Sequence, residues 1–120
     1  MNQIFHVTES EREVLEKLWD QEGGITQPQL LALFTADGKE WKRQTLNTFL
    51  SRLEEKGLVI REHRVVRPRY TRETYTCMEM GAMIDQSFGG RVSNFLAAFK
   101  KENRFSDSDA EEMIRVIKEL

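Results

Sequence analysis

The residues best suited to a chemical task lie between positions 41 and 56, in the run WKRQTLNTFLSRLEEK. Arg43, Gln44, Thr45, Thr48 and Arg52 bring guanidinium, amide and hydroxyl groups to this short stretch. Arginine can form two hydrogen bonds with guanine, glutamine can do so with adenine, and threonine bonds a base or touches a thymine methyl group. These residue types therefore favour contact with the base edges of DNA.

Positive charge is concentrated in the same part of the chain, although the formal net charge of all 120 residues is −2. Residues 39–72 hold ten basic and four acidic residues, a local balance of +6, whereas the flanking segments are acidic at −5 and −3. Binding to phosphates depends on such a local field, because salt screens distant charges. Five cations are predicted to contact phosphates, and the last three of them could instead reach the minor groove: Lys42, Arg43, Arg64, Arg67 and Arg69.

A helix must position these side chains. Leu46, Phe49, Leu50 and Leu53 follow the i, i+3, i+4, i+7 pattern, which predicts a helix from about Lys42 to Lys56 with this face in the core. At 100° per residue, the side chains at 45, 48 and 52 then share the opposite side of the helix. Gly57 is expected to end it.

Two helices are predicted before this one and a β-hairpin after it. The first helix is capped by Thr8 or Ser10 and ends at Gly23-Gly24, and the second is capped by Thr26 with Pro28 in its first turn. The runs LVIREHRVV and RPRYTRETY predict two strands joined by a basic turn around 64–69. This order is that of a winged helix-turn-helix, a mainly α fold with a small β-hairpin wing.

The C-terminal part, from Thr76, is predicted to be helical and to form a dimer. Its apolar stripes have no evident core of their own, so we expect them to pack against a second copy, the alternative being that they fold back on the N-terminal domain. The predicted domains are therefore 1–75 and 76–120. The predicted dimerisation residues are Met80, Met83, Ile84, Phe88, Val92, Phe95, Leu96, Phe99, Met113, Ile114 and Ile117.

Several protein classes are disfavoured by composition. No run of eighteen apolar residues and no secretory signal in the first ten residues is present, so we expect a soluble, cytoplasmic protein that does not bind membranes. His6, His63 and Cys77 belong to no metal or nucleophile motif, so neither an enzyme, a metal site nor a cofactor is predicted. Methionines near Cys77 at helical spacing are typical of a core or interface.

A second hypothesis stays open at this point. Winged helices also bind proteins, so the same fold is compatible with an interaction module that does not read DNA. Thr45 and Thr48 would then be solvated helix residues, and Arg52 would pair with Glu55 on the surface.

The run WKRQTLNTFLSRLEEKGLV resembles the recognition-helix signature of the penicillinase-repressor family, which includes repressors of β-lactamase, methicillin-resistance and copper operons. The run TESEREVLEKLW resembles the opening of that family, with its closing Trp19, and Tyr70 and the chain length agree. The resemblance is strong over residues 8–75 and general over 76–120. It implies a homodimeric transcriptional repressor with a winged-helix domain that binds double-stranded operator dyads.

The resemblance also implies a release mechanism. In the β-lactam branch, which serves antibiotic resistance, a sensor-linked protease leads to cleavage in the C-terminal region, commonly between Asn and Phe. Here Ala98-Phe99 aligns with that pair and Asn94-Phe95 lies one turn earlier, so no scissile bond is assigned. The copper branch resembles proteins with C-terminal Cys-x-Cys pairs, which this chain, with Cys77 alone, does not have.

Overall fold

The structure is a computed structural model that describes residues 6–120, so the first half of the segment inspected for a secretory signal lies outside the described residues. Six helices and three short strands occur in the described part of the chain. In chain order they are α1 (Glu9–Trp19), β1 (Ile25–Thr26), α2 (Gln27–Ala36), α3 (Arg43–Glu55), β2 (Val59–Glu62), β3 (Val65–Pro68), α4 (Arg72–Ser87), α5 (Val92–Lys101) and α6 (Asp107–Glu119).

The helix starts follow local capping chemistry. The Thr8 hydroxyl accepts from the backbone N–H of Glu11, whose carboxylate accepts from the N–H of Thr8, which makes Thr8 the cap rather than Ser10. Thr26 caps α2 in the same way, as predicted. The prediction that α1 runs to Gly23-Gly24 was wrong, because the helix ends at Trp19 and the glycines lie in the following turn.

The three strands form one antiparallel sheet in the order β1-β3-β2. Strands β2 and β3 form the predicted hairpin, with Val59 opposite Pro68 and Glu62 opposite Val65. The predicted basic turn was too long, because only His63 and Arg64 lie in the turn. Arg67 instead lies on β3, and Arg69 follows the strand.

The boundary between the hairpin and α4 differs from the prediction. The second strand was expected to continue to Tyr75 and the next helix to begin at Thr76, but β3 ends at Pro68 and α4 begins at Arg72. Thr71 explains the early start, because its hydroxyl accepts from the N–H of Thr74 at 3.1 Å. Tyr75 consequently lies one turn into a helix and is buried.

The chain divides into two compact units, Met1–Glu79 and Met80–Leu120. The first unit contains the buried core, to which α1, α2, α3, the hairpin and the start of α4 contribute. The core residues are Val14, Leu15, Leu18, Leu30, Phe34, Leu46, Leu50, Leu53, Leu58, Val59, Val66 and Tyr75. The three leucines of α3 in this core are those that the apolar pattern predicted, and Phe49 packs against it.

The second unit holds α5 and α6 and has no fully buried residue on either helix. Three aromatic rings pack in series, with centroids 5.5 Å apart for Phe88 and Phe95 and 4.4 Å apart for Phe95 and Phe99. Over residues 6–120, no helix combines the length and the apolar character that crossing a bilayer requires.

Candidate nucleic-acid interface

The helix α3 is held on the first unit by one apolar face. Leu46, Leu50 and Leu53 are fully buried, and Trp41 packs between Phe34 and Phe49 with ring centroids 4.6 and 5.0 Å away. This packing fixes the rotation of the helix about its axis. The side chains on the opposite face are therefore presented in a defined direction.

The opposite face carries the predicted base-reading residues. Arg43, Gln44 and Arg52 are exposed, and Thr45 and Thr48 are half-buried. The Thr48 hydroxyl donates to the carbonyl of Gln44 at 3.0 Å, which leaves its lone pairs and methyl group for other contacts. Within residues 6–120, no ion pair joins Arg52 to Glu55, so the surface pairing considered above is not formed.

The ten cations of residues 39–72 fall into two groups. Five form ion pairs with carboxylates of the same chain, at N–O distances of 2.6 to 3.3 Å: Lys39, Lys56, Arg61, Arg67 and Arg72. In the described part of the chain, the other five make no side-chain ion pair or hydrogen bond: Lys42, Arg43, Arg52, Arg64 and Arg69. Arg67 thus differs from the other predicted phosphate contacts, because it pairs with Glu62 at 2.7 Å on the exposed hairpin.

The start of α3 is open as well. Lys42 is the N-cap residue, and its side chain makes no capping hydrogen bond. The first backbone N–H groups of a helix have no partner within the helix and favour a negative charge. Lys42 and Arg43 place two cations beside them.

The tip of the hairpin has an uncommon backbone. His63 and Arg64 have φ angles of 53° and 67°, as a two-residue type I′ turn requires. Asparagine and glycine normally occupy such positions, since other residues adopt positive φ at a cost. The turn projects the exposed Arg64 at the end of the hairpin.

One residue of this surface was not predicted. Arg61 on β2 donates to Asn47 Oδ1 at 3.0 Å, Ser51 Oγ at 2.9 Å and Glu54 Oε1 at 2.8 Å. The three acceptors repeat at i, i+4 and i+7 and so form a polar stripe along α3. That stripe was visible in the sequence, but its partner depends on how the hairpin folds over the helix.

The family model described as "Penicillinase repressor" matches residues 7–119, nearly the whole chain. The chain belongs to the penicillinase-repressor family. The fold is the winged helix followed by C-terminal helices that the sequence predicted. Among curated proteins, none matches the chain. The family is one of transcriptional repressors, which are not enzymes, and membership of it indicates a DNA-binding regulator.

In this penicillinase-repressor family member, the predicted dimerisation residues of the second unit leave much apolar surface uncovered. Val92, Ile114 and Ile117 are each more than half exposed, at 57, 53 and 64 %. A cavity of about 580 Å³ lies between α5 and α6, and Val92, Phe95, Leu96, Phe99, Met113 and Ile117 are among its lining residues. Met83 is also exposed, whereas Met80, Ile84 and Phe88 are half-buried.

The two Xaa-Phe pairs related to the cleavage site of the family both lie inside α5. Asn94 additionally donates from its side chain to the carbonyl of Phe88 at 3.3 Å. Cys77 is exposed on α4. Over residues 6–120, no group of three or more His, Cys, Asp or Glu side chains is arranged to hold a metal ion.

Proposed function

We propose that the protein represses transcription by binding an operator dyad as a homodimer. In each protomer, α3 enters the major groove and the hairpin of β2 and β3 contacts the flanking phosphates or the minor groove. Thr45, Thr48 and Arg52 contact base edges from the exposed face of α3. Lys42, Arg43, Arg64 and Arg69 bind phosphates, with Arg67 joining them when its contact with Glu62 opens.

The division of the cations into paired and free groups carries this proposal. Within residues 6–120, five side chains on or next to α3 and the hairpin have no carboxylate partner, although four acidic residues occur in the same segment. A cation that already has a carboxylate partner gives up that contact to bind a phosphate, whereas a free one does not. Lys42 and Arg43 lie at the start of α3 and Arg52 lies on its exposed face. Arg64 is at the tip of the hairpin and Arg69 follows β3.

The uncovered apolar surface of α5 and α6 supports the homodimer. Exposed aliphatic side chains around a cavity of about 580 Å³ are unfavourable in water and are covered when two copies associate. A symmetric dimer also matches a dyad, because each two-fold partner then meets one half-site.

Release by proteolysis, for an operon of the β-lactam-resistance type, is supported by family membership alone. Both candidate bonds, 94–95 and 98–99, are in the helical backbone of α5, so a protease acts there only after this helix unwinds locally. The mass of the repressor in cells exposed to a β-lactam tests this step. An intact chain during full induction contradicts it.

A titration of the purified protein against DNA from upstream of its own gene tests the central proposal. We expect binding at about 50 mM salt that weakens steeply toward 200 mM, with two protomers bound per dyad. Random DNA of equal length serves as the control. If no neighbouring promoter binds better than random DNA at low salt, the repressor function is wrong, and the winged helix is a protein-interaction module.

A further inference from the structure

We propose that Arg61 is a positioning residue that clamps the hairpin onto α3 and thereby presents Arg64 to DNA. The clamp rests on the proposed function, because it gives DNA binding a preorganised wing. Arg61 itself is committed to the protein, and its role is to hold other residues in place.

The geometry of the Arg61 guanidinium supports this role. All three of its nitrogens donate to α3: Nη1 to Asn47, Nη2 to Ser51 and Glu54, and Nε to Glu54 at 3.2 Å. A planar fork that reaches three side chains holds its geometry more firmly than a single ion pair. The distance between β2 and the helix is therefore set along about two turns of α3.

The same network extends to α2. Gln27 donates to Asn47 Oδ1 at 3.5 Å, so Asn47 accepts from the hairpin and from the first residue of α2. Arg61 and Arg64 line one cleft of about 410 Å³, together with Thr26, Gln27 and Pro28. Loss of the Arg61 hydrogen bonds to α3 would consequently change the surroundings of Arg64, while all five unpaired cations would still be present.

Apart from Arg61, the hairpin is held by the buried side chains of Val59 and Val66 and by short strands. Strands β2 and β3 have four residues each, and the edge strand β1 has two. Such a small sheet is marginal without support from a helix. A preorganised hairpin improves affinity, because ordering it on DNA otherwise opposes binding.

A double-mutant cycle tests the clamp in the full-length protein. Arg61→Met, Arg64→Ala and the double variant are titrated against the best-bound promoter fragment. We expect each single variant to bind the DNA about tenfold more weakly than the wild type. Adding Arg64→Ala to Arg61→Met should weaken binding by at most about a further twofold. Independent losses that multiply to about a hundredfold would overturn the proposal, because Arg61 would then act through stability or its own phosphate contact.

Two further variants keep the result interpretable. Glu54→Gln weakens the clamp from the helix side and leaves Arg61 in place, so a smaller loss, coupled to Arg64 in the same way, is expected. Arg67→Met is the matched control, since Arg67 is a hairpin arginine that pairs only with Glu62 in the described part of the chain. In the double variant of Arg67→Met and Arg64→Ala, the two fold-losses of DNA affinity should multiply.

A measurement without DNA separates the clamp from the proposed function. The Arg61 Nε–H signal in an NMR spectrum should be protected from exchange, and the Val65 amide should exchange faster in Arg61→Met than in the wild type. Rapid exchange of the Arg61 Nε–H in a protein that binds its promoter overturns the clamp alone. A protected signal in a protein that binds no DNA overturns the proposed function and with it the presentation of Arg64.

Discussion

Lys56 donates a hydrogen bond of 2.6 Å to the Glu11 carboxylate and so joins the C-cap of α3 to the first turn of α1. The Glu11 side chain is 1 % exposed, and its second oxygen, Oε2, is buried without a hydrogen-bond partner among residues 6–120. Lys56 also donates to the carbonyl of His6 at 2.6 Å. A single ammonium group thus neutralises the buried carboxylate of the first unit.

Lys56→Met should destabilise the protein strongly, because it leaves the Glu11 carboxylate buried without its counter-charge. We expect a loss of about 3 kcal/mol in the free energy of unfolding, measured by urea denaturation. The double variant Lys56→Met/Glu11→Gln should lose less unfolding free energy, since no buried charge remains unpaired. A single variant within about 0.5 kcal/mol of the wild type would show that the pair contributes little.

Tyr75 should make the protein sensitive to alkaline pH. Burial raises the pKa of its phenol to about 12, and the nearby Glu79 carboxylate, which accepts from the phenol at 3.3 Å, acts in the same direction. The unfolded chain loses this proton near pH 10 while the folded chain keeps it. The contribution of Tyr75 is therefore complete below pH 10 and falls as the pH rises toward 12, by roughly 2 to 3 kcal/mol at most.

Urea denaturation of the wild type and Tyr75→Phe between pH 8 and pH 11.5 measures this effect. The difference in stability between the two proteins should shrink above pH 10 and change sign if the phenol provides most of the alkaline loss. Parallel curves over the whole range would be inconsistent with an ionising, buried Tyr75.

Gly24→Ala should disturb the sheet. A Cβ at Gly24 would lie 2.5 Å from Val65 Cγ1 and 3.0 Å from the carbonyl of Val66, and the φ angle of 93° already disfavours a side chain. Gly23→Ala is a matched control, because φ there is also positive, at 74°, but a Cβ meets no atom within 4 Å. We expect losses in unfolding free energy of about 1 kcal/mol for Gly23→Ala and about 3 kcal/mol for Gly24→Ala. Equal losses would mean that the close approach to β3 is easily relieved.

Arg52→Ala should reduce the discrimination between operator and random DNA. Its exposed guanidinium is free to bind a guanine edge, so removal should cost about 1–3 kcal/mol on the operator and less on random DNA. Arg67→Ala should weaken binding to both DNAs alike and only slightly, because Glu62 competes for this cation. An equal loss on both DNAs for Arg52→Ala would argue against base readout by this residue.

Ile117→Glu should weaken the proposed dimer while leaving the first unit folded. Ile117 is 64 % exposed beside the apolar cavity of α5 and α6, so a carboxylate there would be desolvated in an interface. We expect at least about a tenfold weaker association by sedimentation equilibrium. Arg115→Glu on the same helix is the control. A truncated chain ending near Tyr75 should be monomeric, and a dimer of that fragment would place the interface elsewhere.

Local patterns predicted those parts of the fold that depend on neighbouring residues. The apolar spacing of α3 and the cap at Thr26 were readable, because both reflect interactions within one turn of helix. The start of α4 was missed, since the aromatic and β-branched residues of TRETY also suit a strand. Packing decided that case: the Tyr75 ring lies 5.6 Å from that of Trp19 on α1.

The candidate site was only partly predictable for a similar reason. The residue types on the exposed side of α3 follow from helical periodicity. The pairing of the cations cannot be predicted from helical periodicity, because Glu11 and Lys56 are 45 positions apart and Arg61 contacts Asn47 on another element. The roles of these two cations emerge only when the chain has folded.

The pairing of the cations also limits how strongly DNA binding depends on salt concentration. Ten basic residues suggest a large release of condensed counterions from DNA, but in the described part of each protomer five of them have a carboxylate partner and five do not. Four of the five unpaired cations are proposed to bind phosphates, and a slope of about 0.9 per phosphate neutralised gives about −3.6 per protomer in a plot of log binding constant against log salt. The five paired cations neutralise acidic groups of their own chain. Much of the positive charge of residues 39–72 therefore stabilises the folded protein and releases no counterions from DNA.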